Sequence, residues 1–116
     1  MLLDSDDIRL KHMIQSGREA VGYVQTSLRA DLETNRQLLH SILRCLEIMG
    51  EAASRVSLDY RDKHPEVPWR KIISMRNRIT HTYFDINHDI IWRTATVELS
   101  KLLPVLEVLL DAYDQD

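Results

Sequence analysis

The run Leu38-Leu39-His40-Ser41-Ile42-Leu43-Arg44-Cys45-Leu46-Glu47-Ile48-Met49-Gly50-Glu51-Ala52-Ala53-Ser54-Arg55-Val56 decides the fold class. Its apolar members, Leu38, Leu39, Ile42, Leu43, Leu46, Met49, Ala52, Ala53 and Val56, recur three and four apart and so form one stripe along a helix. The pattern predicts a single helix from about Leu32 to Asp59. That is longer than a usual globular helix, so it should pack against more than its sequence neighbours. Gly50 inside it costs about 1 kcal/mol relative to alanine. The small residues Gly50, Ala52 and Ala53 offer a compensation, because they let another backbone approach closely.

The same period extends outward in both directions. Upstream, Leu10, Met13, Ile14, Gly17, Val21 and Val24 predict a helix from Asp6 to Gln25, with Asp4 or Ser5 as its cap and Asp6 and Asp7 in its first turn. Downstream, His64-Pro65-Glu66-Val67-Pro68 breaks the chain, and Pro68 suits the first position of a third helix. Trp69, Ile72, Ile73, Met75 and Ile79 line that helix, which should end between Thr80 and Tyr83. Asn87 then caps a fourth helix striped by Ile91, Ala95, Leu99, Leu102, Leu103, Leu106, Leu109 and Leu110. Pro104 falls inside it and should kink or split it near Ser100. The expected fold is all-α, an antiparallel bundle of four main helices forming a single domain over residues 1–116.

Bulk properties agree. A chain of 116 residues with 44% hydrophobic and 28% charged residues is one soluble domain's worth. Three glycines and three prolines are too few for a turn-rich β architecture. The lone Cys45 excludes an internal disulfide and a cysteine-based zinc cage, and reads as a core filler. His12, His40, His64 and His88 show no ligand spacing, so no metal site is expected. Asp4, Asp6 and Asp7 argue against a secretory leader, and no apolar run reaches membrane-spanning length, so a cytoplasmic protein is expected.

A net charge of −3 argues against a protein that coats nucleic acid generally. The distribution is more informative. Between Glu66 and Asp85 no acidic residue occurs, while Arg70, Lys71, Arg76, Arg78 and His81 all do. Such a patch can hold a short stretch of phosphate backbone, with Arg70, Lys71 and Arg78 as candidate substrate contacts.

Within the patch lies Met75-Arg76-Asn77-Arg78-Ile79-Thr80-His81-Thr82-Tyr83. Metal-free RNA cleavage requires a base for the ribose 2′-hydroxyl, an acid for the departing 5′-oxygen and a cation for the phosphorane. Histidine and arginine have the chemistry for these roles. On an unbroken helix, however, five residues rotate about 140°, so Arg76 and His81 do not share a face, whereas Asn77 and His81 do. Arg76 and His81 converge only at a helix end or where two copies meet. One histidine must also serve as both acid and base unless a second copy supplies another. Spacing alone leaves the plainer alternative open, a solvated arginine followed by a capping histidine. Glu51 can pair with an arginine of this helix or lie at the surface, and Trp69 and Trp92 read as core anchors.

Taken together, these blocks resemble the HepT-like branch of the HEPN superfamily. The similarity runs from Leu46-Glu47-Ile48-Met49-Gly50-Glu51-Ala52-Ala53 through His64-Pro65-Glu66-Val67-Pro68-Trp69 and the R-N-x-x-x-H-x-Y string to Ile91-Trp92 and Leu103-Pro104-Val105-Leu106. Thr82 stands where relatives often carry glycine. The resemblance implies a cofactor-free, metal-independent endoribonuclease, a homodimer with both motifs in one cleft. Arg76 and His81 would be catalytic and Asn77 supporting. It further implies the toxin of a type VII-like toxin–antitoxin pair acting on tRNA or mRNA. A minimal nucleotidyltransferase (MNT) antitoxin would neutralise it by AMPylation of Tyr83. A half-buried aromatic closing the helix is the plainer role for that tyrosine. The rival to the whole reading is a non-catalytic subunit that presents substrate or nucleotide to a nucleotidyltransferase.

Overall fold

The computed structural model of the chain describes residues 5–81 and 86–115. Its helices are α1 (Asp6–Gln25), α2 (Asp31–Thr34), α3 (Arg36–Arg55), α4 (Leu58–Lys63), α5 (Trp69–His81), α6 (His88–Arg93) and α7 (Leu99–Asp114), the last two joined by a π-helical turn at Thr94–Glu98. No strand occurs among the described residues. Four elements carry the bundle, namely α1, α3, α5 and the continuous rod of α6 and α7, as the apolar periodicity predicts. That rod accounts for most of the 46 Å long axis.

Side-chain pairings set the directions. Asp6 at the start of α1 meets Ser57 just past α3, while Gly17 and Glu19 lie against Met49 and Cys45, so α1 and α3 run antiparallel. Gly17 also faces Leu103, Arg18 pairs with Glu107, and Tyr113 reaches Tyr60 beside the start of α1. Helix α7 is therefore antiparallel to α1 as well. Leu10, Met13, Ile42, Leu43, Met49, Ile79, Ile91 and Leu106 are fully buried between these elements. Each contributes roughly 1.5–3 kcal/mol by leaving water.

The long second helix is not one helix but three. Asn35 adopts an extended backbone (φ −110°, ψ 94°), and its side chain accepts a hydrogen bond from the Leu38 amide, which caps α3 and ends α2. Val56 is extended too (φ −67°, ψ 138°). Ser57 then caps α4, its hydroxyl accepting from the Tyr60 amide. The Asp6 carboxylate receives both the Ser57 amide and the Ser57 hydroxyl at 2.8 Å, so α1 holds the break in place. Arg61 completes it by donating to the carbonyls of Val56 and Ser54, oxygens left over at the end of α3.

Two further expectations shift. Ser5 occupies the cap position of α1, but its hydroxyl donates to the Asp7 carboxylate instead of accepting from the helix, and that bond above all holds the Asp7 carboxyl below its usual range. Asp4 lies outside the described residues. In the last rod the irregularity precedes Ser100, at Thr94–Glu98, and α7 takes Pro104 into its interior. The hydroxyls of Thr94, Thr96 and Ser100 donate to the carbonyls of Ile90, Trp92 and Val97. Such bonds compete with the regular backbone ladder and accommodate the wider turn. Pro68 also falls one position earlier than expected, accepting the Ile72 amide just before α5 begins. No helix among the described residues is long and apolar enough to cross a membrane.

Candidate functional site

Helix α5 carries every charged candidate residue the sequence singles out. It starts where Trp69, buried, donates its indole N–H to the His64 carbonyl at 2.9 Å and so pins the Pro65–Pro68 loop. It runs without interruption to His81. Trp69 and Ile79 are buried, and Ile72, Ile73 and Met75 are half-buried. Arg70, Lys71, Ser74, Asn77, Arg78, Thr80 and His81 are exposed.

Arg76 sits on the flank of α5 that meets α3. An added β-carbon at Gly50 would lie 2.2 Å from the Arg76 β-carbon and 3.1 Å from the Ile72 carbonyl oxygen. The two backbones approach as closely as the small residues of α3 allow, and the Arg76 stem lies over Gly50. The Arg76 Nη1 is 3.9 Å from Glu51 Oε1, and Glu51 Oε2 is 3.8 Å from Arg55 Nε. Of the two options for Glu51, the structure takes the ion pair. The Arg76 Nε is buried with no hydrogen-bond partner among the described residues. Thr80 donates its hydroxyl to the Arg76 carbonyl at 3.0 Å, bracing the turn between arginine and histidine.

His81 is the last described residue of α5 and projects from a different face. Helical rotation brings Asn77 and His81 together on the outer surface and leaves Arg76 about 140° away. The structure therefore groups Asn77 with His81, and Arg76 with Glu51, without uniting Arg76 and His81 on one face. Arg70 lies on the Asn77–His81 face, and Lys71 and Arg78 lie together along one edge of it. Neither Arg70 nor Lys71 has an ion-pair partner among the described residues. Tyr83 lies outside the described residues.

The start of α6 is fixed firmly. Asn87 caps it by accepting from the amides of Asp89 and Ile90. Arg29 bridges Asp89 and Glu33 at 2.8 Å, and His88 Nδ1 lies 2.9 Å from Glu33. The Arg29 hydrogen bond, more than that to His88, holds the Glu33 carboxyl below its ordinary range. Spacing does not reveal this bridge, because its partners lie 60 residues apart for Arg29 and Asp89 and 55 apart for Glu33 and His88.

Among the described residues, no group of three or more His, Cys, Asp or Glu side chains is placed to hold a metal ion. What α5 can offer a ligand is charge and proton transfer. A half-buried guanidinium beside a carboxylate suits an anion, an exposed imidazole with a neighbouring amide suits a proton, and Arg70 and Lys71, without ion-pair partners among the described residues, add positive charge to the same helix.

Comparison with known proteins gives this surface its family. Residues 13–109 match the family described as Ribonuclease HepT-like. The chain is 34% identical over 93 residues to a protein of Caldanaerobacter subterraneus subsp. tengcongensis named as a putative RNase, covering 80% of this chain and 83% of that one. It is 28% identical over 103 residues to one of Thermococcus cleftensis named as a probable ribonuclease HepT, covering 85% and 94%. It is 26% identical over 100 residues to a protein of Methanocaldococcus jannaschii, also named as a putative RNase, covering 86% and 92%. No solved structure matches the chain significantly. With the match taking in the whole of α3 and α5 and most of α1 and α7, the chain belongs to the ribonuclease HepT-like family.

Proposed function

We propose that the chain is a metal-independent cytoplasmic endoribonuclease, the toxin of a type VII-like toxin–antitoxin pair, working as a homodimer. The observation that carries the reading is the family match over residues 13–109 together with Arg76, Asn77 and His81 on one accessible helix within it.

The chemistry follows from the side chains. The ribose 2′-oxygen attacks phosphorus and gives its proton to the imidazole of His81. The bond to the 5′-oxygen breaks, and that oxygen takes a proton as it leaves, giving a 2′,3′-cyclic phosphate and a free 5′-hydroxyl. Arg76 stabilises the extra negative charge on the phosphorane through two parallel hydrogen bonds. Asn77, on the His81 face, supports the imidazole. A lone copy has one motif histidine, and its arginine and histidine diverge. Two copies packed through α5 supply a second histidine as the acid and bring the Arg76 of one toward the His81 of the other. Arg70, Lys71 and Arg78 extend the cationic surface toward the substrate, a tRNA or an mRNA.

Regulation belongs to Tyr83. A minimal nucleotidyltransferase antitoxin transfers AMP from ATP to its phenol oxygen and releases pyrophosphate. Because Tyr83 follows His81 by two residues, the modification adds bulk and negative charge where the substrate phosphate must sit.

The test combines intact mass with cleavage of RNA in the presence of a chelator, before and after treatment with the cognate nucleotidyltransferase and ATP. The expected outcome is cleavage by the untreated protein, AMP-sized mass increments on Tyr83 after treatment, and loss of cleavage with them. Arg76→Ala and His81→Ala should each abolish cleavage while leaving the helical spectrum intact. Retained cleavage in a clean His81→Ala preparation sinks the catalytic assignment. A protein that never cuts RNA yet binds the nucleotidyltransferase through Arg76 and His81 is instead a partner subunit.

A further inference from the structure

The break after α3 creates a surface that a single long helix would not have. Residues of α4, of the loop after it and of α5 line one groove of about 690 Å³, open to solvent and reaching Asn77. That volume is within the range of sites that hold small organic ligands. Its chemistry is of two kinds. Arg61, Arg70 and Lys71 supply three positive charges against the single carboxylate of Asp62. Leu58, 68% exposed, stands at its rim, and the prolines and aliphatic side chains flanking the α5 start form apolar floor.

We infer that this groove holds the single-stranded RNA flanking the cleavage point, phosphates on the cations and a base against Leu58; the inference rests on the ribonuclease reading. Three observations support it. First, the charge is uncommitted, since neither Arg70 nor Lys71 is ion-paired among the described residues, whereas Arg29, Arg55 and Lys63 are. Second, one of the cations is pre-set. Arg61 is held by hydrogen bonds to Val56 O at 3.0 Å and Ser54 O at 3.3 Å, so its charge does not have to be ordered on binding. Third, the groove leads to the motif. Ser74 and Asn77 continue its α5 wall, and His81 follows Asn77 on the same face, about 6 Å further along the axis.

The combination of apolar rim and cations selects a single strand. In a duplex the bases are stacked inward and only phosphate and groove edges reach a protein, so Leu58 would have nothing apolar to meet. An unpaired strand offers both a base face and a phosphate at each step. An acidic peptide would satisfy the cations but has no need of the apolar rim.

The probe is a fluorescein-labelled single-stranded RNA of about twelve nucleotides, long enough to span the groove and the motif. Binding is read by anisotropy on His81→Ala protein, which keeps the probe whole. Arg70→Gln with Lys71→Gln should weaken binding about tenfold or more and shrink the slope of log affinity against log salt by about 1.4, the loss of two single-strand phosphate contacts. Leu58→Ser should weaken binding severalfold at an unchanged slope. All three side chains are exposed, so folding is not at stake, and a thermal melt checks it. Unchanged affinity and slope in both variants overturns the groove assignment. In the wild-type background the same substitutions should raise KM for the probe and leave kcat nearly alone. If wild-type protein cuts the probe and the groove variants cut it identically, the groove falls and the ribonuclease reading stands. If nothing is cut but the variants lose binding as described, the groove stands and the catalytic reading falls. Binding of an acidic peptide in preference to RNA rejects the assignment outright.

Discussion

Gly50 and Gly22 share a residue type and differ in everything that determines its consequence. At Gly50 an added methyl collides with the Arg76 β-carbon at 2.2 Å, an atom fixed to the backbone of α5, so α5 itself must move. At Gly22 nothing lies within 4 Å. Gly50→Ala should therefore cost about 1–3 kcal/mol net and reduce RNA cleavage by displacing Arg76, while Gly22→Ala should gain about 0.5–1 kcal/mol by relieving unfolded-state entropy. Opposite shifts in the urea midpoint test the pair; a neutral Gly50→Ala contradicts the contact. Cys45 makes a second prediction at this scale. Burial, then the Glu19 carboxylate, pushes its thiol up to about 11. At pH 8 about one native molecule in a thousand is thiolate, against about a quarter for a free thiol. Native protein should therefore react with a disulfide reagent more than a hundredfold slower than protein in denaturant. The sign also bears on stability. Because the folded value is the higher, the neutral thiol favours the fold below the unfolded value, and that contribution is lost as pH rises toward 11.

At the scale of elements, the faces were legible and the ends were not. The stripes of α1, α3, α5 and α7 follow from the period alone, because burial of one face is what the spacing encodes. The breaks at Asn35 and Val56 interrupt no stripe, so periodicity passes over them. Asn35 and Ser57 are favourable cap residues, but each becomes a cap only when something rewards the break, and for Ser57 the reward is Asp6, 51 residues away. The same distance hid the groove, since the predicted helix runs on through the break to Asp59 and takes in the first two residues of α4. The π turn is less legible still, because it depends on which carbonyls three hydroxyls choose. In the candidate site, the string from Arg76 to Tyr83 stood out, and Glu51 was recognised as one possible partner for an arginine; only packing across Gly50 decided that it was Arg76. Ser57→Ala removes both a cap and one bond to Asp6, and should cost about 1–2 kcal/mol. Asn35→Ala should cost about 1 kcal/mol. Urea midpoints should fall while m-values stay constant, and a change in m would mean that the unfolded or native ensemble had altered instead.

At the scale of the whole molecule, the decisive quantity for the proposed mechanism is how many histidines one cleavage event uses. Helix α5 presents His81 on its outer surface and turns Arg76 toward α3, so the chain alone does not assemble acid, base and cation on one face. Every proton removed from the 2′-hydroxyl must be matched by one delivered to the 5′-oxygen, and a single imidazole can do both only by turning over between two positions. If two copies share the work, both must carry His81. Wild-type protein exchanged with His81→Ala protein, at fixed total concentration and allowed to reach random pairing, then gives active dimers in proportion to the square of the wild-type fraction. At equal amounts, cleavage should fall to about a quarter of the unmixed value. If each chain works alone, or if one histidine suffices per dimer, activity will follow the wild-type fraction linearly or lie above it. Mixing without subunit exchange supplies the control, since it must give the linear result whichever mechanism operates. A quadratic loss that depends on exchange identifies the paired histidines as one catalytic unit, and the divergence of Arg76 and His81 on α5 as the reason the fold requires a second copy.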